Sequence, residues 1–157
     1  VLSELIDAGC PITSAEVGQK LDLGGGAWLE VVAVGERGAV ILVSYDRARF
    51  LLAPGADPKL ISEVAQTKRI GSVNAVLLPD GGFSAVNQPE WLERFRPEVA
   101  LISVEAGNSR GLPSPEVLEV LEGTTILRTD RNGWIELATD GIQLWVQVEK
   151  PEGEGIP

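Results

Sequence analysis

The sequence predicts an α/β fold of α+β organisation, a mixed sheet covered by about three helices, and three observations carry that expectation. The N-terminal third alternates short apolar runs with glycine and charged turns, the pattern of a meander. Residues 57–127 then alternate helical apolar stripes with apolar runs of strand length. Two last runs, 134–138 and 142–148, close the chain as an antiparallel pair.

The elements follow in order. Leu2, Leu5 and Ile6 stand at helical spacing before Gly9, a helix stop. A short segment ending in Leu21 and Leu23 leads to a turn at Gly24, Gly25 and Gly26. In 28–34, Leu29, Val31 and Ala33 alternate with Trp28, Glu30, Val32 and Val34; both sets are mostly apolar, as in a strand covered on two sides. The runs 39–43 and 49–53 have the same character. Asp57-Pro58 sets a side-chain acceptor before a proline at the first helical position, and Leu60, Ile61 and Val64 form the stripe.

After a buried strand at 75–78, Asn87 and Glu90 have capping-box spacing ahead of a helix carrying Trp91, Leu92 and Phe95 and stopped by Pro97. The run 99–104 is the strongest strand. Ser114-Pro115 opens a third helix with Val117, Leu118 and Leu121 facing inward and Gly123 as its stop. A short strand at 125–127 follows, and Asn132-Gly133 then has the form of a hairpin turn. Trp28, Trp91 and Trp134 fit core or sheet-cover positions. Trp145 differs, because it shares a strand face with Gln143 and Gln147 and suits an anchor for a partner.

Composition excludes several functions. The chain has 157 residues, 13 basic and 23 acidic, a formal charge of −10. That balance disfavours direct binding to a phosphate backbone, which needs clustered lysine and arginine. The basic pairs Lys68-Arg69 and Arg94 with Arg96 are separated and fit a solvated surface. There is no histidine, the commonest general base and a leading metal ligand, and the one cysteine, Cys10, excludes an internal disulfide. No stretch approaches the ~20 apolar residues of a membrane-spanning helix. The chain starts at Val1 and ends in a Pro/Gly/Glu-rich stretch, so the expected organisation is one domain over 1–149 and a flexible tail or linker over 150–157, cut from a larger parent.

Arg49-Phe-Leu-Leu-Ala53, Asn74-Ala-Val-Leu-Leu-Pro79, Phe95-Arg-Pro-Glu-Val-Ala-Leu-Ile-Ser-Val104, Asn108, Gly111-Leu-Pro-Ser-Pro115 and Arg128-Thr-Asp-Arg-Asn-Gly133 occur in that order. Together they resemble the second half of the metallo-β-lactamase-like domain that ends ComEC-type DNA-internalisation (competence) proteins. The likeness runs from about Leu2 to about Gly141 and is most specific between Arg96 and Gly133. It implies half of an αββα sandwich, with metal ligands on loops at strand ends. The family's bridging aspartate falls at Gly55, its paired histidines at Asp80 and Gly81, and a further histidine at Leu112. Asp80 alone keeps ligand chemistry, and Asp57 is better explained as a helix cap. The family's first-half histidine motif has no counterpart here.

One carboxylate does not hold a hydrolytic zinc, and without metal no water is activated. The resemblance thus implies a degenerate domain with no catalytic residues, metal or cofactor, in a structural or interaction role linked to DNA uptake. Such a domain is soluble and attached to a bacterial membrane protein, or belongs to a soluble paralogue. Its partners are the rest of the parent or a second copy, met through a sheet face left exposed by the missing half. The alternative is a metal-dependent phosphodiesterase or nuclease whose first half and ligands lie outside this chain. A third reading is a small-ligand site built from Asp80 and Gly82 with Gly107, Asn108 and Arg110; an ordinary glycine-rich turn is the simpler account of Asp80. Ser84 lacks an activating base, and Asp130-Arg-Asn-Gly133 lacks the other carboxylates of a calcium loop.

Overall fold

The computed structural model describes residues 11–151 together with 4 and 7–9. Leu2, Leu5, Ile6 and Cys10, and most of the expected tail, lie outside the described residues. A seven-stranded mixed sheet organises the rest, its strands lying in chain order. β1 (Lys20–Gly24), β2 (Ala27–Val34), β3 (Ala39–Tyr45) and β4 (Ala48–Leu52) form the expected antiparallel meander. β5 (Ala75–Leu77), β6 (Val99–Ile102) and β7 (Thr125–Arg128) then add in parallel. Parallel neighbours need crossover connections, and α1 (Pro58–Gln66), α2 (Pro89–Phe95) and α3 (Pro115–Val120) lie in them. A single turn, α4 (Thr129–Asn132), leads to a separate hairpin of β8 (Ile135–Thr139) and β9 (Leu144–Val148).

The three crossover helices cover one face. Leu60, Ile61 and Val64 of α1, Trp91, Leu92 and Phe95 of α2, and Val117 of α3 pack against Val40, Leu51, Val76, Ala100 and Ile102 of the strands. α1 starts as its sequence dictates: Leu60 N–H donates to Asp57 Oδ1 at 2.9 Å, and Pro58 takes the first helical position. The third helix also starts at Ser114-Pro115 as expected, but the polar side chains at the starts of α2 and α3 make no cap hydrogen bond. Gln88, not Asn87, takes the cap position of α2; Asn87 is buried and its Nδ2 donates to Pro79 O and Phe83 O at 3.0 and 2.9 Å. Ser114 precedes α3, but its Oγ accepts from Ser84 N–H at 3.0 Å and ties two loops together.

Two further expectations are corrected. A bulge between Val31 and Ala33 breaks the simple alternation of β2. Leu29 and Val31 oppose Val43 and Ile41, whereas Ala33 opposes Val40 and turns to the helices, because the extra residue reverses the facing beyond it. Asn132-Gly133 is not a hairpin turn. It ends α4, and the turn between β8 and β9 lies at 140–143, where Asp140 Oδ1 accepts from the N–H groups of Ile142 and Gln143.

Of the tryptophans, Trp91 is buried, while Trp28 and Trp134 are exposed and not core. Trp145 is exposed on the outward face of the hairpin, opposite Ala138, as its neighbours Gln143 and Gln147 suggest.

The sheet face away from the helices is half covered. Ile135, Leu137, Leu144 and Val148 of the hairpin rest against Ala75, Val99 and Leu127. The remainder is a groove of about 280 Å³ lined by Val43, Phe50, Leu52, Leu77 and Leu101, with Leu137 at its side. Among the described residues no helix is long and apolar enough to cross a membrane.

Candidate functional site

The carboxyl ends of parallel strands collect the loops that carry function in open α/β sheets. Here the loops after β4, β5 and β6 carry the positions that the resemblance marks as ligand positions, Gly55, Asp80, Gly81 and Leu112. After β4, Pro54 and Gly55 pass against the turn at Arg37 and Gly38: a Cβ on Gly55 would lie 2.6 Å from Arg37 O, and one on Gly38 would strike Pro54 O. Gly55 has φ +67°, so backbone shape and contact both call for glycine there.

After β5 the chain makes one 3₁₀ turn, Pro79–Gly82, in which Asp80 and Gly81 are left-handed at φ 48° and 61°. Asp80 is an uncommon residue for that region, although aspartate is among the side chains that tolerate it best. A Cβ on Gly81 would stand 3.3 Å from Ser103 O and 3.4 Å from Leu112 Cδ1, and one on Gly82 would be 2.7 Å from Pro113 Cβ. The turn after β5 is therefore seated on the loop after β6. Leu112 is buried there, and the bond between it and Pro113 is cis.

Asn108 fastens that second loop to itself. Its Oδ1 accepts from Leu112 N–H at 2.8 Å, and its Nδ2 donates to Leu112 O at 3.0 Å and Glu105 O at 3.3 Å. The candidate ligand loop does not come together as one site: Asn108 is fully used within its own loop, and Gly107 and Arg110 are exposed. Gly82 is buried against Pro113. Asp57 is committed to the α1 cap.

Two residues that local sequence reasoning passed over complete the arrangement. Arg37 Nη2 lies 3.7 Å from Asp80 Oδ1 and is the cation paired with that carboxylate. Thr129 Oγ1 both donates to Val104 O and accepts from Val104 N–H, each at 2.8 Å, joining the β6 and β7 loop ends. Arg37 sits in a turn more than forty positions before Asp80, and no spacing rule links the two. At the same rim Arg128 holds Asp130 with Nε–Oδ1 at 2.9 Å and Nη2–Oδ2 at 2.5 Å, and this hydrogen-bonded pair lowers the Asp130 pKa.

No family model matches the chain. No curated protein matches it either. Among solved structures the chain is similar to the E377D mutant of CmlA beta-hydroxylase, with a TM-score of 0.52 and 16% identity over 82% of this chain and 34% of that one. It is also similar to a Parabacteroides distasonis protein described as a metal-dependent hydrolase, with a TM-score of 0.49 and 13% identity over 82% and 61% of the two chains. The fold is metallo-β-lactamase-like. This chain spans about a third of the CmlA protein and 61% of the second, and at such identity the likeness is one of fold alone.

Among the described residues the donors for a hydrolytic metal do not assemble on this metallo-β-lactamase-like fold. Such a zinc takes about three protein ligands and leaves one position open. Gly55 and Gly81 have no donor side chain, Leu112 presents a methyl group, and Asp80 faces a guanidinium. Among the described residues no group of three or more histidine, cysteine, aspartate or glutamate side chains is placed to hold a metal ion. The residues present do not fit the metal centre that the sequence resemblance implies for active relatives.

Proposed function

We propose that this chain is a metal-free, non-catalytic metallo-β-lactamase-like domain of a ComEC- or competence-related protein, with a structural or interaction role in DNA uptake. The observation that carries the reading is the filling of the ligand positions: glycine backbone at Gly55 and Gly81, a buried Leu112, and Asp80 set against Arg37. A guanidinium and a leucine side chain supply packing and charge balance; neither ligates a metal ion nor takes a proton from water. The link to competence proteins rests on the ordered landmarks from Arg96 to Gly133.

The interaction is made by the uncovered sheet face and not with nucleic acid. The net charge of −10 opposes a phosphate backbone, and one member of each basic pair is engaged within the fold: Arg69 pairs with Glu30, and Arg94 donates to Ile70 O. Zinc and manganese titration by calorimetry, with a DNA-cleavage assay in the same buffers, tests the proposal. No stoichiometric metal uptake and no cleavage are expected. Tight one-to-one binding, or metal-dependent cleavage, would replace this reading with that of a metal-dependent hydrolase whose remaining ligands lie outside this chain.

A further inference from the structure

β8 has one paired edge. Glu149 N–H donates to Trp134 O at 3.0 Å, and the register then sets Glu136 opposite Gln147 and Ala138 opposite Trp145. Antiparallel bonding alternates along a strand, so the main-chain groups of Trp134, Glu136 and Ala138 face β9. Those of Ile135, Leu137 and Thr139 face the other way, and among the described residues no strand pairs with them. Beside that edge lies the groove floored by Phe50, Leu52, Leu77 and Leu101, with no charged side chain in its lining. The hairpin already seats Ile135, Leu137, Leu144 and Val148 on the neighbouring part of the same face. The free edge and the apolar floor thus continue an interface that the chain itself has begun.

We propose that β8 and this groove form one docking site for an extended strand of a partner polypeptide carrying apolar side chains at alternate positions. Such a strand bonds through its main chain to Ile135, Leu137 and Thr139 and lays every second side chain on the floor. Main-chain pairing gives affinity, and the floor selects for alternation. A second copy of this chain fits less well. Its β8 is already seated on its own sheet, lending its exposed β1 would make a contact that repeats without closing, and two chains of −10 repel. The proposal deepens the non-catalytic reading by stating the partner's chemistry; metal titration decides that reading, whereas strand protection decides this one.

The test uses the full chain and a capped, fluorescein-labelled nine-residue peptide alternating valine and threonine between terminal lysines. A control peptide has proline at its two central positions. Saturable binding in anisotropy is expected for the first peptide alone, with at least tenfold slower hydrogen exchange at residues 135–139 on saturation. Leu77→Lys is expected to weaken binding at least tenfold, while Ile142→Lys, which adds the same charge at an exposed position off the site, leaves it unchanged. Where Leu77→Lys fails to fold, Leu52→Thr serves in its place. Equal binding of the proline peptide, protection confined to other segments, or no binding would overturn the proposal. So would self-association that protects 135–139 without peptide, since the occupant would then be a second copy.

Discussion

Leu112 Cδ1 lies 3.4 Å from the point where a side chain on Gly81 would begin. Two of the positions at which the sequence resemblance places histidines are therefore packed against each other, one as a bare backbone and the other as a buried leucine. Restoring one ligand does not restore the site, because Asp80 would still be its sole companion. We predict that Leu112→His binds no zinc in calorimetry at micromolar protein. The same variant should lose about 2 kcal/mol in urea unfolding, from lost apolar burial and a buried imidazole short of partners. Uptake of one zinc per chain would show that further donors reach this rim.

The Arg128–Asp130 pair sets an acid limit on stability. The Arg128 hydrogen bonds come first among the causes that lower the Asp130 pKa, and its charge adds to them. A carboxyl with a depressed folded pKa stabilises the fold above its unfolded value, the ordinary aspartate 3.8, and loses that contribution as pH falls through the lower folded value. Asp130→Asn should cost about 1 kcal/mol at pH 7 by urea unfolding. Its loss of stability between pH 5 and pH 2 should be shallower than that of the unaltered chain, by about the contribution of this one carboxylate. Equal slopes would show that the pair does not couple to folding.

Asp57 supplies the start of α1, and its removal should be felt in the whole core. Leu60, Ile61 and Val64 belong to the main cluster, so fraying the first turn loosens the packing against the sheet. Asp57→Ala should destabilise by about 1 kcal/mol, as measured by thermal and urea unfolding. Asp57→Asn should recover most of that, since its amide oxygen still accepts from Leu60 N–H. If Asn is no better than Ala, the cap hydrogen bond is not the cause.

Much of this architecture is visible in the residues, and the parts that are not have identifiable reasons. The apolar runs and helical stripes mark the meander, the three crossover helices and the closing pair, because period and Asp57-Pro58 are local signals. The bulge at Val31 is not marked, since apolar residues occupy both faces of β2 and conceal the reversal. Asn87 and Ser114 carry capping chemistry, yet tertiary acceptors and donors, Pro79 O and Ser84 N–H, claim their side chains instead. Asn132-Gly133 matches a hairpin turn by composition, but its left-handed glycine ends a helical turn. At the candidate site the Asp80–Gly82 turn stands out as a glycine-rich loop after a buried strand, Leu112 only through the resemblance, and Arg37 reaches Asp80 through the fold. Packing after β6 decides which of those residues meet.

Asn108 offers the sharpest test of whether that loop is built for structure or for a ligand. Its three hydrogen bonds all end within residues 105–112, and together they hold Leu112 in place beneath Gly81. Asn108→Ala should cost about 1–2 kcal/mol in urea unfolding. It should also speed hydrogen exchange across 105–112 while leaving β5 and β6 protected. Asn108→Asp keeps an acceptor for Leu112 N–H but turns the donor aimed at Glu105 O and Leu112 O into a second acceptor. Two carbonyl oxygens then face a carboxylate oxygen, and the loss should equal or exceed that of Ala at pH 7. Because a protonated carboxyl donates, the Asp variant should recover part of its stability relative to Ala near pH 4. A loop shaped for a bound ligand would give a different pattern, with both variants as stable as the parent and with unchanged exchange.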